Sequence, residues 1–216
     1  MSVRWLAALV LGALALWPAL LVAGPTREEA LKALGDTASV DSRRQGARAL
    51  GETGLMADLP KLAAALRDTD PLVRELAENA MWQVWGRSGD ATIDRLFATG
   101  LEQMNARQGE EAVDTFSEII RRRPDFAEGW NKRATVYYLL GDYKKSLADC
   151  DEVMKRNPYH FGALSGYGMI YMQLDQPATA LEYFERALRL NPNLESTRQT
   201  IEILKTLLIQ RRKDTI

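Results

Sequence analysis

The sequence predicts an all-α protein that folds as a right-handed solenoid of repeated helical pairs. The main observation is a fixed period: Pro124, Pro158 and Pro192 stand 34 residues apart. Small residues at positions 100, 134 and 168 keep the same step. Fixed places for small residues and prolines at a period of about 34 are typical of a stacked helix–turn–helix array. In addition, the sequence lacks the alternating pattern of a half-buried strand.

Each 34-residue unit divides into two antiparallel helices, and its residue types explain why. The first helix carries a small residue that lets a neighbouring helix approach closely, at Gly100, Ala134 and Gly168. The second helix carries a residue that projects into the core, at Phe116, Cys150 and Phe184. The prolines then end the second helix, because proline lacks an amide donor and disfavours helix in the residue before it. Asp125 and Glu128 are spaced as a capping box for the next helix.

On these spacings, residues 91–194 resemble three tandem tetratricopeptide repeats, with units at 93–126, 127–160 and 161–194. The resemblance implies that the first helix of each unit lines a concave groove that binds a protein or peptide segment. By repeat position, the groove residues that it implies are Phe97, Leu101, Met104, Asn131, Thr135, Tyr138, Ser165, Met169, Met172 and Gln173. Methionine-rich surfaces adapt to apolar helices or extended segments, so we expect an apolar or amphipathic partner.

This groove lacks the cations of one binding mode. Some tetratricopeptide relatives clamp a partner's C-terminal carboxylate with Lys, Asn and Arg, but only Asn131 and Lys132 match that pattern here. Gly162 and Gly166 stand where further cations would be needed, so the clamp is not expected. An alternative is that the N-terminal block or the C-terminal helix folds over the groove residues and makes them part of a core.

A second repeat type precedes the first. The motif "ALGDT" (33–37) recurs as "ALRDT" (65–69), and "SRRQGARAL" (42–50) matches "VRELAENAM" (73–81). These alanine-rich helices with aspartate-containing turns resemble HEAT-like repeats over residues 25–90; the alternative is an unspecified pair of helical hairpins. Trp82 and Trp85 then follow on one helix, and we expect them to pack across the seam between the two blocks. The short link predicts one continuous superhelix.

The chain opens on a secretory signal pattern, residues 1–23. Arg4 gives a basic start, an apolar run begins at Trp5, and "LVAG" ends it with small residues. We expect cleavage after Ala23 and export to a bacterial periplasm or beyond the cell; the alternative is an uncleaved membrane anchor. At the other end, residues 195–216 predict a capping helix with an apolar stripe and a basic tail.

Composition and charge argue against several function classes. Lys and Arg total 28 against 29 Asp and Glu, a net charge of −1, so neither nucleic acid nor, after signal cleavage, a membrane is an expected partner. His160 is the single histidine, which excludes a multi-histidine metal site and argues against a serine–histidine–aspartate triad. There is no glycine-rich phosphate loop and no second cysteine beside Cys150. We therefore expect no cofactor, no metal and no catalytic residue.

Together these patterns favour a non-catalytic exported scaffold that binds a protein or peptide segment in its groove. The alternative is a structural unit of the cell envelope that self-associates, as a homo-oligomer, through its tryptophan and methionine surface. An envelope-remodelling enzyme with a pair of carboxylates is a third, weaker alternative. For stability, Trp130→Ala is expected to be among the most damaging changes, because Trp130 fills the large position of the central repeat. His160→Ala is expected to be mild, because His160 falls in a turn.

Overall fold

A computed structural model describes residues 24–214, so the predicted signal segment lies outside the described residues. Within this range the regular secondary structure is helical, which confirms the all-α prediction. The eleven α-helices of the described range are α1 (Arg27–Leu34), α2 (Val40–Thr53), α3 (Leu59–Ala65), α4 (Pro71–Trp85), α5 (Ala91–Asn105), α6 (Gly109–Arg122), α7 (Ala127–Leu139), α8 (Tyr143–Arg156), α9 (Phe161–Gln173), α10 (Pro177–Leu190) and α11 (Glu195–Asp214). A short 3₁₀ helix, Met56–Asp58, precedes α3.

Helices α5 to α10 form the three predicted antiparallel pairs, and α11 packs on α10. The turn inside each pair has one residue in the left-handed region, at Arg107 (φ 59°), Gly141 (φ 82°) and Asp175 (φ 54°). These three positions keep the 34-residue step, although only the middle one is a glycine, the residue that adopts this conformation most easily. The turn conformation is therefore part of the repeat.

The close approach of paired helices depends on the small residues, as predicted. A Cβ atom added at Gly100 would lie 2.6 Å from the Phe116 ring, and one at Gly168 would lie 2.7 Å from the Phe184 ring. In the first and third repeats, a phenylalanine ring therefore packs directly against a glycine. The central repeat holds Ala134 and the smaller Cys150 at the same positions, so its interior is filled differently.

Helices α1 to α4 form an N-terminal block whose core also includes Phe161 of α9. Leu50, Leu62 and Leu66 are completely buried there. Two guanidinium–carboxylate pairs tie α2 to the loop before α4, with nitrogen–oxygen distances of 2.7 Å for Arg43–Asp68 and 2.6 Å for Arg44–Asp70. In this block α1 packs on α2, and α4 packs on both α2 and α3; its assignment as HEAT-like remains a prediction.

The N-terminal block packs against the turns between repeats. Trp82 and Trp85 contact His160 and Phe161, which confirms that the tryptophans bridge the seam. At the C-terminal end of α3, the Asn193 side-chain amide donates to the Leu66 carbonyl at 2.9 Å. The block therefore lies along the edge of the second and third repeats, which differs from the continuous superhelix that the short link suggested.

Between residues 24 and 214, none of the helices combines the length and the apolar character that crossing a bilayer requires.

Candidate functional site

The predicted groove residues lie on α5, α7 and α9, the first helices of the repeats, and they differ in exposure. Met169 and Met172 are each 44% exposed, and Thr135 and Gln173 are also exposed. Asn131 is buried. The partly buried members are Phe97, Leu101, Met104, Tyr138 and Ser165. The open part of the predicted groove therefore lies on α7 and α9.

On α5 the predicted groove residues serve mainly as core. The Phe97 ring packs against Phe116 at 6.0 Å and Phe126 at 5.5 Å between ring centroids. Leu101 and Met104 pack against the same cluster. The first repeat thus offers a partner less apolar surface than its sequence suggests.

A cavity of about 150 Å³ lies between α7 and α9, and we call it the α7–α9 pocket. Five predicted groove residues line it: Asn131, Thr135, Tyr138, Ser165 and Met169. Ser146 and Cys150 of α8 also contribute to its wall. Thr135 and Met169 are exposed, so the pocket is bordered by two solvent-accessible residues of the predicted groove.

Three of the hydroxyl groups around the α7–α9 pocket already donate hydrogen bonds to backbone carbonyls. The hydroxyl of Ser146 donates to the Ala134 carbonyl at 2.7 Å. The hydroxyls of Thr135 and Ser165 donate to carbonyls one turn earlier on their own helices, at 2.9 and 3.1 Å. Burial, with Asp149 and Asp151 nearby, raises the pKa of the Cys150 thiol to about 12, so the thiol is neutral. The wall is uncharged, and these hydroxyl protons are already engaged.

A buried polar cluster stands at the edge of the groove, where the block meets the repeats. Glu128 is buried, and its carboxylate lies 2.5 Å from His160 Nε2, 3.0 Å from Asn131 Nδ2 and 3.6 Å from Lys132 Nζ. Burial raises the pKa of Glu128, but these partners outweigh it and lower the pKa to about 2. The predicted capping box is thus wrong: Glu128 turns inward, and Asp125 pairs with Arg123.

His160 is a structural residue of this cluster. Its Nδ1 accepts a hydrogen bond from the Ala163 amide at 3.0 Å and so caps α9. Because Nδ1 is an acceptor, the ring proton sits on Nε2 and is donated to Glu128. The ring also stacks on Trp85 with centroids 4.4 Å apart, and His160 is 0% exposed. These contacts contradict the expectation that replacing His160 is mild.

Lys132, which belonged to the partial clamp pattern, is engaged at the same seam. Its ammonium lies 6.0 Å from the Trp82 ring centroid, in addition to its contact with Glu128. Trp82 also covers Gly162, where an added Cβ would lie 2.7 Å from the indole. Among residues 24–214, no group of three His, Cys, Asp or Glu side chains is arranged to hold a metal ion.

Helix α11 adds exposed apolar residues that the sequence reasoning missed. Ile201 and Leu204 are buried, as the capping role predicts. Ile203 and Leu207, however, are 67% and 38% exposed, and they stand 34 residues after Met169 and Gln173. Helix α11 therefore occupies the place of a fourth first helix, and the period extended past residue 194 would have found both residues.

Comparison with known protein families gives a consistent result for this fold. Two family models, both described as tetratricopeptide repeat, match residues 97–161 and residues 161–194. A TPR repeat-containing protein of Rhizobium etli is 33% identical over 138 residues, which are 64% of this chain and 68% of that protein. A small glutamine-rich tetratricopeptide repeat-containing protein of Dictyostelium discoideum is 29% identical over 111 residues, and the matched region is 33% of its length.

Solved structures share the architecture of the repeats at low sequence identity. The Sgt2 TPR domain from Aspergillus fumigatus superimposes with a TM-score of 0.54 at 18% identity, over 57% of this chain and 83% of that chain. The first TPR of Spaghetti (RPAP3), solved with an HSP90 peptide, gives 0.53 at 21% identity over 56% and 96%. The TPR2B domain of yeast Sti1, solved in a complex with pHsp70, gives 0.52 at 19% identity over 55% and 99%. At these identities the likeness concerns the fold alone.

Proposed function

We propose that this chain, which belongs to the tetratricopeptide repeat family, is a non-catalytic scaffold. It binds a protein or peptide segment in its concave groove. The observation that carries the proposal is the open apolar surface of the first helices. Met169 and Met172 are large apolar side chains on α9, and each is 44% exposed to solvent. A clustered exposed apolar surface of this kind marks an interaction site.

On α11, Ile203 and Leu207 are exposed one period after Met169 and Gln173, and we infer that the apolar surface continues onto this helix. A segment lying across α7, α9 and α11 would therefore meet apolar side chains on each helix. Flexible methionines adapt to the shape of such a segment. We infer an apolar or amphipathic partner, either helical or extended.

Peptide binding by structural neighbours supports this proposal in outline. The RPAP3 domain was solved with an HSP90 peptide, and the Sti1 domain in a complex with pHsp70. The present groove differs in character, because Gly162 and Gly166 take the places of cations and Lys132 is engaged by Glu128 and Trp82. Recognition here would rest on apolar contact more than on a clamped carboxylate.

We further propose that the protein works outside the cytoplasm, on the strength of the signal pattern in residues 1–23. Intact mass of the protein from its native host tests this. A chain that begins at Gly24 supports export, and a membrane-bound species that retains Met1 indicates an anchor.

The groove proposal is tested with peptides selected from a random library on immobilised protein (residues 24–216). Met169→Ser combined with Met172→Ser should abolish binding of a selected peptide and leave the thermal transition unchanged, because both side chains are exposed. The matched control, Leu55→Ser with Met56→Ser, changes two residues of the N-terminal block that are at least about as exposed, 55% and 43%, and should leave binding intact. Equal binding by all three proteins refutes the groove. Sedimentation of the wild type tests the alternative of self-association, which requires a stable oligomer that the methionine variant loses.

A further inference from the structure

The α7–α9 pocket results from two departures from the repeat pattern. The first and third repeats fill their interiors with Phe116 and Phe184, whereas the second has the smaller Cys150 in that position. Cys150 lies in the wall of the pocket. The central repeat therefore leaves open a space that its neighbours close.

The second departure is Gly166, in the middle of α9. A Cβ added there would meet a single neighbour, Cys150 Sγ, at an ordinary distance of 3.8 Å. By contrast, a Cβ at Gly168 on the same helix would lie 2.7 Å from the Phe184 ring. Packing thus explains Gly168 but not Gly166, and a glycine in a helix interior lowers stability relative to alanine. The effect of glycine at 166 is to keep the pocket open.

We propose that the α7–α9 pocket receives one uncharged apolar side chain, aliphatic or phenyl-sized, from the segment bound in the groove. This rests on the proposed function, since the side chain belongs to that segment. The volume of about 150 Å³ fits such a group, because an apolar protein cavity of about 150 Å³ holds a benzene molecule. It is too small for a drug-sized ligand, whose sites measure about 300 Å³ or more.

The chemistry of the wall selects the same occupant. The twelve lining residues carry no charged side chain, so a buried carboxylate or ammonium would lack a partner there. The hydroxyls of Ser146, Thr135 and Ser165 already donate to backbone carbonyls. Ile170, Met169 and Ala163 supply apolar contact. An aliphatic or aromatic group is therefore accepted, and a charged group is rejected.

The first test uses toluene as a direct probe of the pocket, without any partner. In the wild-type protein, labelled on its methionine methyl groups, toluene should shift the Met169 resonance saturably. In Gly166→Leu the leucine side chain fills the pocket, and the shift should disappear. The matched control is Ala98→Leu, which adds the same side chain at the equivalent, exposed position of α5. It should retain the toluene response. Absence of a saturable shift in the wild type overturns the proposal.

The second test uses the peptide selected on the wild-type protein. Gly166→Leu should weaken its binding by about tenfold or more, as loss of one buried anchor does, and Ala98→Leu should not. If Gly166→Leu fails to fold, Gly166→Ala replaces it, because the added Cβ meets only Cys150. Gly166→Ala should weaken peptide binding by a smaller factor than the roughly tenfold expected for Gly166→Leu. A peptide that is lost by Met169→Ser with Met172→Ser, yet is held unchanged by Gly166→Leu, leaves the groove standing and overturns the pocket. If toluene binds but no peptide binds in the groove, both the proposed function and the proposed role of the pocket are overturned.

Discussion

Replacing His160 with alanine should be among the most damaging single changes in the protein. The substitution removes three contacts at once: the cap on α9, the hydrogen bond to Glu128, and the stack on Trp85. Because His160 is completely buried, solvent does not replace these contacts. Glu128 keeps Asn131 and Lys132 as partners, so its buried charge does not lose all of its polar contacts.

The magnitude follows from these contacts. Loss of a helix cap costs about 1 kcal/mol, and loss of the hydrogen bond from the neutral His160 ring to the charged Glu128 carboxylate costs about 1.5–3 kcal/mol. Since two partners of Glu128 remain, we take the lower part of the summed range, about 3 kcal/mol in total. For a chain of 216 residues, this corresponds to a decrease in Tm of about 6–12 °C.

Thermal unfolding followed by circular dichroism measures this effect. His160→Asn is the informative comparison, because the asparagine oxygen can cap α9 while the contact with Glu128 is lost; its Tm should fall between those of the wild type and His160→Ala. A decrease of less than about 2 °C for His160→Ala, corresponding to about 1 kcal/mol or less, would refute the assignment of a structural role to this cluster.

Three further changes follow from the packing. Trp130→Ala should cost less than His160→Ala, about 1–3 kcal/mol, because Trp130 is only partly buried; denaturant unfolding of both variants ranks them. Gly168→Ala should destabilise by about 1–3 kcal/mol through its clash with Phe184, seen as a lower denaturation midpoint. Because its pKa in the folded protein is lowered, the Glu128 carboxylate stabilises the fold at pH values above the ordinary carboxyl pKa. This stabilisation is lost as the pH falls from about 4.5 toward 2. Glu128→Gln should therefore lose less stability over that pH range in acid titrations.

The repeats were predictable because their determinants are local and periodic. The 34-residue step of the prolines and small residues fixes helix ends and close approaches within each unit, and the structure retains them. The position of the N-terminal block was not predictable in this way. It depends on contacts such as that between Asn193 and the Leu66 carbonyl, 127 residues apart in the chain, which produce no periodic pattern.

The structure leads us to expect the opposite ranking of Trp130→Ala and His160→Ala from the one that the sequence suggests, again because of contacts between distant parts of the chain. Trp130 occupies the large position of its repeat, but it lies beside solvent, with Arg133 and Arg156 stacked on its ring. His160 falls in a turn between repeats, where exposure is the usual expectation, and is buried because Trp82 and Trp85 of the other block cover it. Burial at such a seam depends on tertiary structure that a single repeat does not encode.

The groove was only partly readable from sequence. Repeat position alone indicated Met169 and Met172, which are open to solvent in the structure. The α7–α9 pocket required the structure, since its volume depends on residues from three helices. Its cause was nevertheless visible as Cys150 in a position that phenylalanine occupies in the other two repeats.

Amide hydrogen exchange of the whole protein, with and without a selected peptide, tests the central claim most directly. If the concave groove is the binding surface, the peptide should slow exchange in α7, α9 and α11, whose exposed apolar residues face it. The second helices of the repeats, α6, α8 and α10, should change little. Protection confined to α1–α4 or to those second helices would contradict the account and place the partner on another face of the molecule.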